Sequence, residues 1–133
     1  MGVMTRVAEA RTNAEPRTAA VRDRAPIDRV HLARYTMSNL DLEIEILGLF
    51  AMQAPLTLAQ LQTACTAKAW KDAAHTLKGS ARAVGANRVG DLAAQAEALG
   101  FTAGEVDRRA AIANLCQALE EATRYIEGLD VRE

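Results

Sequence analysis

The sequence predicts an all-α fold: an antiparallel four-helix bundle with a short additional N-terminal helix. Three observations lead there. Half of the residues are hydrophobic but only 4% are aromatic, and alanine and leucine dominate. That mix suits helices better than strands. Apolar residues recur at helical spacing in several long stretches. Capping residues and glycines separate those stretches at short intervals. A chain of 133 residues is long enough for one domain with a real core.

Residues 1–25 are polar, rich in arginine and alanine, and without a sustained apolar period. They read as a poorly ordered arm with transient helix around Thr5 to Ala14, either solvated or touching a partner. The bundle is expected over 26–133. Pro26 suits a helix boundary, and a short first helix covers Asp28 to about Thr36, with Val30 and Leu32 among its apolar residues. His31 falls here and reads as a surface residue.

Ser38-Asn39-Leu40-Asp41 resembles a capping box. The helix behind it carries the stripe Leu40, Ile44, Leu47, Ala51, Ala54, Leu58, Leu61 and Cys65, widened by Ile46 and Phe50. Pro55 removes one backbone hydrogen bond and crowds the carbonyl of Ala51, which predicts a kink with the stripe continuing in phase. A third helix spans Lys68 to Val84, and Gly85 is placed to end it in the left-handed conformation. Asn87 can cap a fourth helix running to about Leu99 and stopping at Gly100. Its stripe is Val89, Leu92, Ala93, Ala96 and Leu99, with Glu97 on the rim. Thr102-Ala103-Gly104-Glu105 reads as another capping box. The last helix then runs to about Glu127, with Ile112, Leu115, Leu119, Ala122 and Ile126 on its core face. Short loops imply antiparallel neighbours, with the first helix lidding one end.

Composition excludes several functions. The net charge is −1, so the whole chain lacks the basic signature of a nucleic-acid binder. No apolar run suggests a membrane span, and no secretion signal opens the chain, so the cytoplasm is expected. Cys65 and Cys116 lack metal-ligand spacing and read as buried reduced thiols on apolar helix faces. The sequence has no phosphate-binding P-loop and no dinucleotide fingerprint.

The chemistry concentrates in Ala74-His75-Thr76-Leu77-Lys78-Gly79-Ser80. Lys78 and Gly79 lie three and four residues after His75, on the same helical face. Glycine costs about 1 kcal/mol relative to alanine within a helix, so Gly79 calls for a reason, and open space beside His75 is one. Lys68, Lys71, His75, Lys78 and Arg82 project in one sector. Trp70, Ala73, Ala74, Leu77, Ala81 and Val84 fill roughly the opposite one. His75 is thus expected in a basic, solvent-facing stripe with no acidic partner on that face, suited to an anion or an acidic protein surface.

These residues resemble the histidine phosphotransfer (HPt) domain of bacterial phosphorelays. The family pattern is roughly A-H-x-L-K-G-S/A, a small-residue run, then L/V-G-A. The chain matches it at Ala74, His75, Leu77, Lys78, Gly79, Ser80, Ala81, Val84, Gly85 and Ala86. A looser likeness runs from about Ile27 to Leu99. In such domains a capping residue often precedes the tryptophan; Ala69 stands there, so the third helix start is weakly signalled.

The resemblance implies a phosphoryl carrier. His75 would be the acceptor, since imidazole is nucleophilic at an unprotonated ring nitrogen near pH 7. Lys78 would offset an added charge of roughly −1.5 to −2, and Gly79 would leave room for the phosphoryl oxygens. The glutamine or glutamate that contacts the histidine in similar domains matches Glu97; from the residues alone, Glu97 is equally an exposed carboxylate. Ser80 is either a hydrogen-bonding neighbour of the site or a small packing residue. Arg82 departs from the pattern, where a small or uncharged residue is usual, and either attracts an acidic partner or is solvated.

The implied partners are receiver domains of a hybrid histidine kinase or a response regulator, met through Lys68, Lys71, Lys78, Ser80 and Arg82. Their acidic pockets would hold the magnesium, so no cofactor is expected on this chain. Neither nucleic acid nor membrane is an expected partner, and a monomer suffices because one bundle supplies the whole site. Without a nucleotide motif the chain would be a carrier, not a kinase. A helical adapter that binds through the same face without carrying phosphate is the alternative. A metal-dependent hydrolase would need several ligands on facing helices, which two histidines supply poorly.

Overall fold

The computed structural model describes residues 25–132. The chain forms α1 (Arg29–Thr36), α2 (Leu40–Gln62), α3 (Ala67–Val84), α4 (Asn87–Leu99) and α5 (Glu105–Arg132), with no strand among the described residues. In the bundle α2 packs on α3 and α5, and α4 packs on the same two helices. α1 lies against α2 and α3. The arm expected over residues 1–25 falls almost wholly outside the described residues.

The core is built from small and aliphatic side chains. Leu47, Leu61, Trp70, Ala74, Leu77, Ala81, Ala93, Ala96 and Leu115 are all at most 2% exposed. Alanines at 74, 81, 93 and 96 let α3 and α4 approach closely, which fits their extensive contact. Two apolar residues at helix ends, Leu40 and Leu99, were expected in the core and are exposed, as is Val30 on α1. The flanking helices do not reach them.

Several boundaries differ from the sequence reading. Asn39, not Ser38, caps α2: its side chain accepts from Leu42 N–H at 3.1 Å. Met37 and Ser38 are both left-handed, at φ 55° and 64°, so the reversal from α1 to α2 takes them outside the helix. α2 passes through Pro55 unbroken and in phase, with Ala54 and Leu58 both buried. It stops at Gln62: Thr63 is the C-cap, at φ −100° and ψ 6°, with its N–H and its hydroxyl both on Ala59 C=O. Cys65 is therefore in a loop and exposed, not a core thiol, while Cys116 is half-buried.

α3 has the clear start its sequence seemed to lack, since Thr66 accepts from Ala69 N–H at 3.0 Å. Asn87 is the first residue of α4 and caps nothing; the buried Ala86 precedes it. Gly104 and not Thr102 directly precedes α5, and α5 continues through Gly128 to Arg132. Arg108 instead secures this turn, donating to the carbonyls of Phe101 and Ala103. His31 is half-buried and not a plain surface residue. Its ring meets Tyr35 edge-on at 5.2 Å, and its Nε2 is buried without a hydrogen-bond partner.

Two features hold α1 in place. Glu43, 4% exposed, accepts from Arg29 at 3.1 Å and from the Thr36 hydroxyl at 3.0 Å. Asp28 N–H donates to Gly85 C=O at 2.8 Å. Gly85 ends α3 in a Schellman motif: Ala86 N–H reaches Ala81 C=O while Gly85 N–H reaches Arg82 C=O. Its φ is +84°, and a Cβ there would sit 2.7 Å from the Asp28 carbonyl oxygen. Gly85→Ala is expected to cost about 1–3 kcal/mol, from backbone strain and displacement of α1, read as a lower melting temperature.

Candidate functional site

His75 projects from the middle of α3, between residues that anchor the helix. Ala74 and Leu77 are fully buried, whereas the His75 side chain is 68% exposed. Beside it, a Cβ on Gly79 would meet nothing within 4 Å. The glycine opens solvent space next to the ring; it does not relieve a close contact.

Glu97, on α4, reaches across to both His75 and Lys78 of α3. Its Oε2 lies 3.3 Å from His75 Nδ1, and its Oε1 accepts from Lys78 Nζ at 2.7 Å. The Glu97 and Lys78 side chains are 18% and 23% exposed, so this pair is more sheltered than the histidine it supports. The hydrogen bond from Lys78 chiefly, with smaller help from its charge and from His75, holds the Glu97 carboxyl below the usual carboxylate range. An ionised carboxylate only accepts. A hydrogen bond at Nδ1 therefore places a proton there, and in the neutral ring leaves the Nε2 lone pair free.

The placement of Glu97 depends on Trp70. Its ring is 2% exposed, and its Nε1–H donates to Ala96 C=O at 2.8 Å, the residue before Glu97. One indole thus packs α3 against α4 and ties down the backbone that carries the carboxylate. This role was not read from the sequence, where Trp70 appeared only as a core residue.

The basic stripe is less free than its spacing suggested. Lys68 pairs with Asp72 one turn on at 2.6 Å, a contact whose i,i+4 spacing was visible in the sequence. Lys78 is taken by Glu97, and Arg82 lies 3.7 Å from Asp91 of α4. The Arg82 stem also covers Gly90, where a Cβ would lie 2.8 Å from its Cγ. Lys71 is exposed and makes no ion pair among the described residues. Ser80 turns back into its own helix, donating to the carbonyls of Thr76 and Leu77 at 3.0 and 3.2 Å. The structure thus brings His75, Lys78 and Glu97 together, with Gly79 open beside them. It leaves Lys68, Lys71 and Ser80 outside that cluster.

The Hpt domain family model matches residues 45–126, from the second turn of α2 to deep within α5. The chain belongs to the Hpt domain family. No curated protein and no solved structure shows significant similarity to it. Hpt domains are histidine phosphotransfer modules of phosphorelays and interact with receiver domains. The matched span of this Hpt domain contains His75, Lys78, Gly79 and Glu97 and leaves α1 outside. Among the described residues no group of His, Cys, Asp and Glu side chains could hold a metal ion.

The depressed Glu97 carboxyl gives this Hpt domain an acid-side signature. A folded-state value below the unfolded one adds stability that is complete above the ordinary carboxylate range. That stability is lost as pH falls through the depressed value. Glu97→Gln is expected to remove this part of the acid-induced loss of stability, measured by denaturation at a series of pH values.

Proposed function

We propose that the chain shuttles a phosphoryl group between receiver-domain aspartates, with His75 Nε2 as the accepting atom. The observation that carries this is the three-residue geometry at His75, in which Glu97 binds both Nδ1 and Lys78. In the loading step, the Nε2 lone pair attacks the phosphorus of an aspartyl phosphate. The P–N bond forms, the P–O bond to the aspartate breaks, and the receiver's carboxylate leaves with that electron pair. Nδ1 keeps its proton, and Glu97 stabilises the positive ring. Lys78 lies one turn from the incoming oxygens and offsets their charge. Unloading reverses these steps onto another receiver.

Magnesium belongs to the receiver in this reading. The phosphoryl donor is a receiver and not ATP, in keeping with a sequence that has no P-loop. Lys71 and Arg82 supply the positive rim for an acidic partner, and a single bundle is competent for transfer. A cytoplasmic setting fits the same chemistry.

The test is incubation with a phosphorylated receiver domain. Label on the chain that is stable to base and labile to acid supports the proposal. Binding without label would favour the helical adapter. Gly79 gives a second check. Gly79→Leu gains helix propensity, and its Cβ would meet nothing within 4 Å. It is expected to fold at least as stably and to transfer several-fold more slowly, because its bulk fills the space beside His75. Transfer by Gly79→Leu at the wild-type rate would defeat the clearance argument.

A further inference from the structure

Gly90 sits in the first turn of α4, inside the helix, where glycine is a poor helix former. It lacks the positive φ of Gly85 and Gly100, so no turn requires it. Arg82 of α3 supplies the reason. Its stem fills the space that a side chain at position 90 would take: a Cβ there would lie 2.8 Å from Cγ, 3.5 Å from Nε and 3.7 Å from Cδ. Gly90 is buried, whereas the Arg82 side chain is 52% exposed. The arginine is thus seated along its stem and still open to solvent.

What its head holds is weak. Arg82 Nη2 lies 3.7 Å from Asp91 Oδ1, beyond hydrogen-bond reach, and the Asp91 side chain is 69% exposed. A loose, exposed pair adds little stability, so the ion pair does not account for the placement. Arg82 also shares the face of His75. Seven residues make nearly two turns, so the two side chains leave α3 in almost the same direction, about 10 Å apart along its axis. Of the other cations in that stripe, Lys68 and Lys78 are held by carboxylates at 2.6 and 2.7 Å. Lys71 is exposed and makes no ion pair among the described residues. Among these four, only Arg82 combines a seated stem with a bond weak enough to exchange.

We propose that Arg82 is a specificity-determining residue for the receiver. Gly90 seats its stem, Asp91 holds its head in the free chain, and an acidic side chain of the receiver takes the place of Asp91 on docking. This rests on the carrier reading and adds to it the residue that chooses among receivers. The receiver's acid lies about 10 Å from the aspartate that meets His75, outside the reacting pocket. Asp91 sharpens the choice as a competitor. A receiver with no acid at that distance gains nothing by displacing it and covers Arg82 without a new partner.

The test titrates the chain with a receiver domain whose phosphoryl group the wild type accepts. Docking Kd and the transfer rate at saturating receiver are read separately, beside thermal melts. Arg82→Ala should raise Kd several-fold, most at low salt, and change Kd more than the saturated rate. Arg82→Lys, which carries the charge over the same glycine, should recover most of the loss. Asp91→Asn should tighten docking, the opposite sign to a residue that touches the receiver or merely ties α3 to α4. Gly90→Ala should weaken docking as Arg82→Ala does. In an Arg82→Ala background, Asp91→Asn and Gly90→Ala should both lose their effect on Kd, and Gly90→Ala should raise the melting temperature. Kd indifferent to Arg82→Ala, or weaker docking by Asp91→Asn, would overturn the proposal. So would Asp91→Asn tightening docking equally without Arg82, since net charge alone would then explain it. A wild type that takes no label from any receiver overturns the carrier reading and this proposal with it; label taken up with Kd indifferent to Arg82→Ala overturns this proposal alone.

Discussion

His75→Gln is expected to take up no phosphate from a phosphorylated receiver while melting at nearly the wild-type temperature. Glutamine keeps a polar group of similar reach and can still donate to Glu97. It has no nucleophilic ring nitrogen, so no P–N bond forms. The stability change should stay within about 0.5 kcal/mol, because the side chain is 68% exposed and its neighbours Ala74 and Leu77 carry the packing. The remaining histidine is no substitute, since His31 lies on α1 with its Nε2 buried. The measurement is label incorporation beside a thermal melt. Label on the variant, mapped to another residue, would show that the acceptor is misassigned.

Trp70→Ala is expected to have the largest effect on stability, about 3–5 kcal/mol. That is a large share of the roughly 5–15 kcal/mol that holds a domain together. The indole is the largest fully buried side chain, and alanine would leave a void between α3 and α4. Trp70→Phe separates packing from anchoring. It keeps most of the ring volume but loses the bond to Ala96 C=O, which still accepts from Gly100 N–H at 3.2 Å and is not orphaned. The expected cost is nearer 1 kcal/mol, with slower transfer as Glu97 loses part of its support. Chemical denaturation measures the first effect and receiver transfer the second. A Trp70→Ala variant as stable as wild type would mean that the α3–α4 contact does not rest on the indole.

The bundle was legible because its signals are local and repeated. The core stripe of α3, from Trp70 to Val84, is buried as its spacing required. Gly85 ends that helix for a reason visible in its residue type, although its near-contact with Asp28 depends on distant packing. Helix starts were less legible where several capping candidates stood together. Ser38 and Asn39 differ by one residue, and the left-handed turn at Met37 and Ser38 decides between them. Cys65 continued an apolar period on paper, but α2 ends at the Thr63 C-cap, two residues before it. At the site, His75, Lys78 and Gly79 share one helix and could be grouped by spacing. Glu97 lies on another helix and was matched through the family resemblance; its distances to His75 and Lys78 follow from how α3 and α4 pack. The ion pairs of Lys78 and Arg82 are equally non-local, which is why the stripe looked more positive than it is.

The bridge through Glu97 also bears on time. Before loading, the carboxylate and Lys78 balance each other, and the histidine leans on a site without net excess charge. After loading in the proposed reaction, Glu97 would face the positive ring as well as Lys78, and the new dianion would have to share that lysine with it. The loaded state would rest beside a carboxylate that keeps its claim on the cation. A cradle of several cations would hold phosphate longer and slow its departure. A single divided lysine would favour short residence, with the group leaving when a receiver offers its charge a better home. The dwell time of the message would be set by one carboxylate on the neighbouring helix.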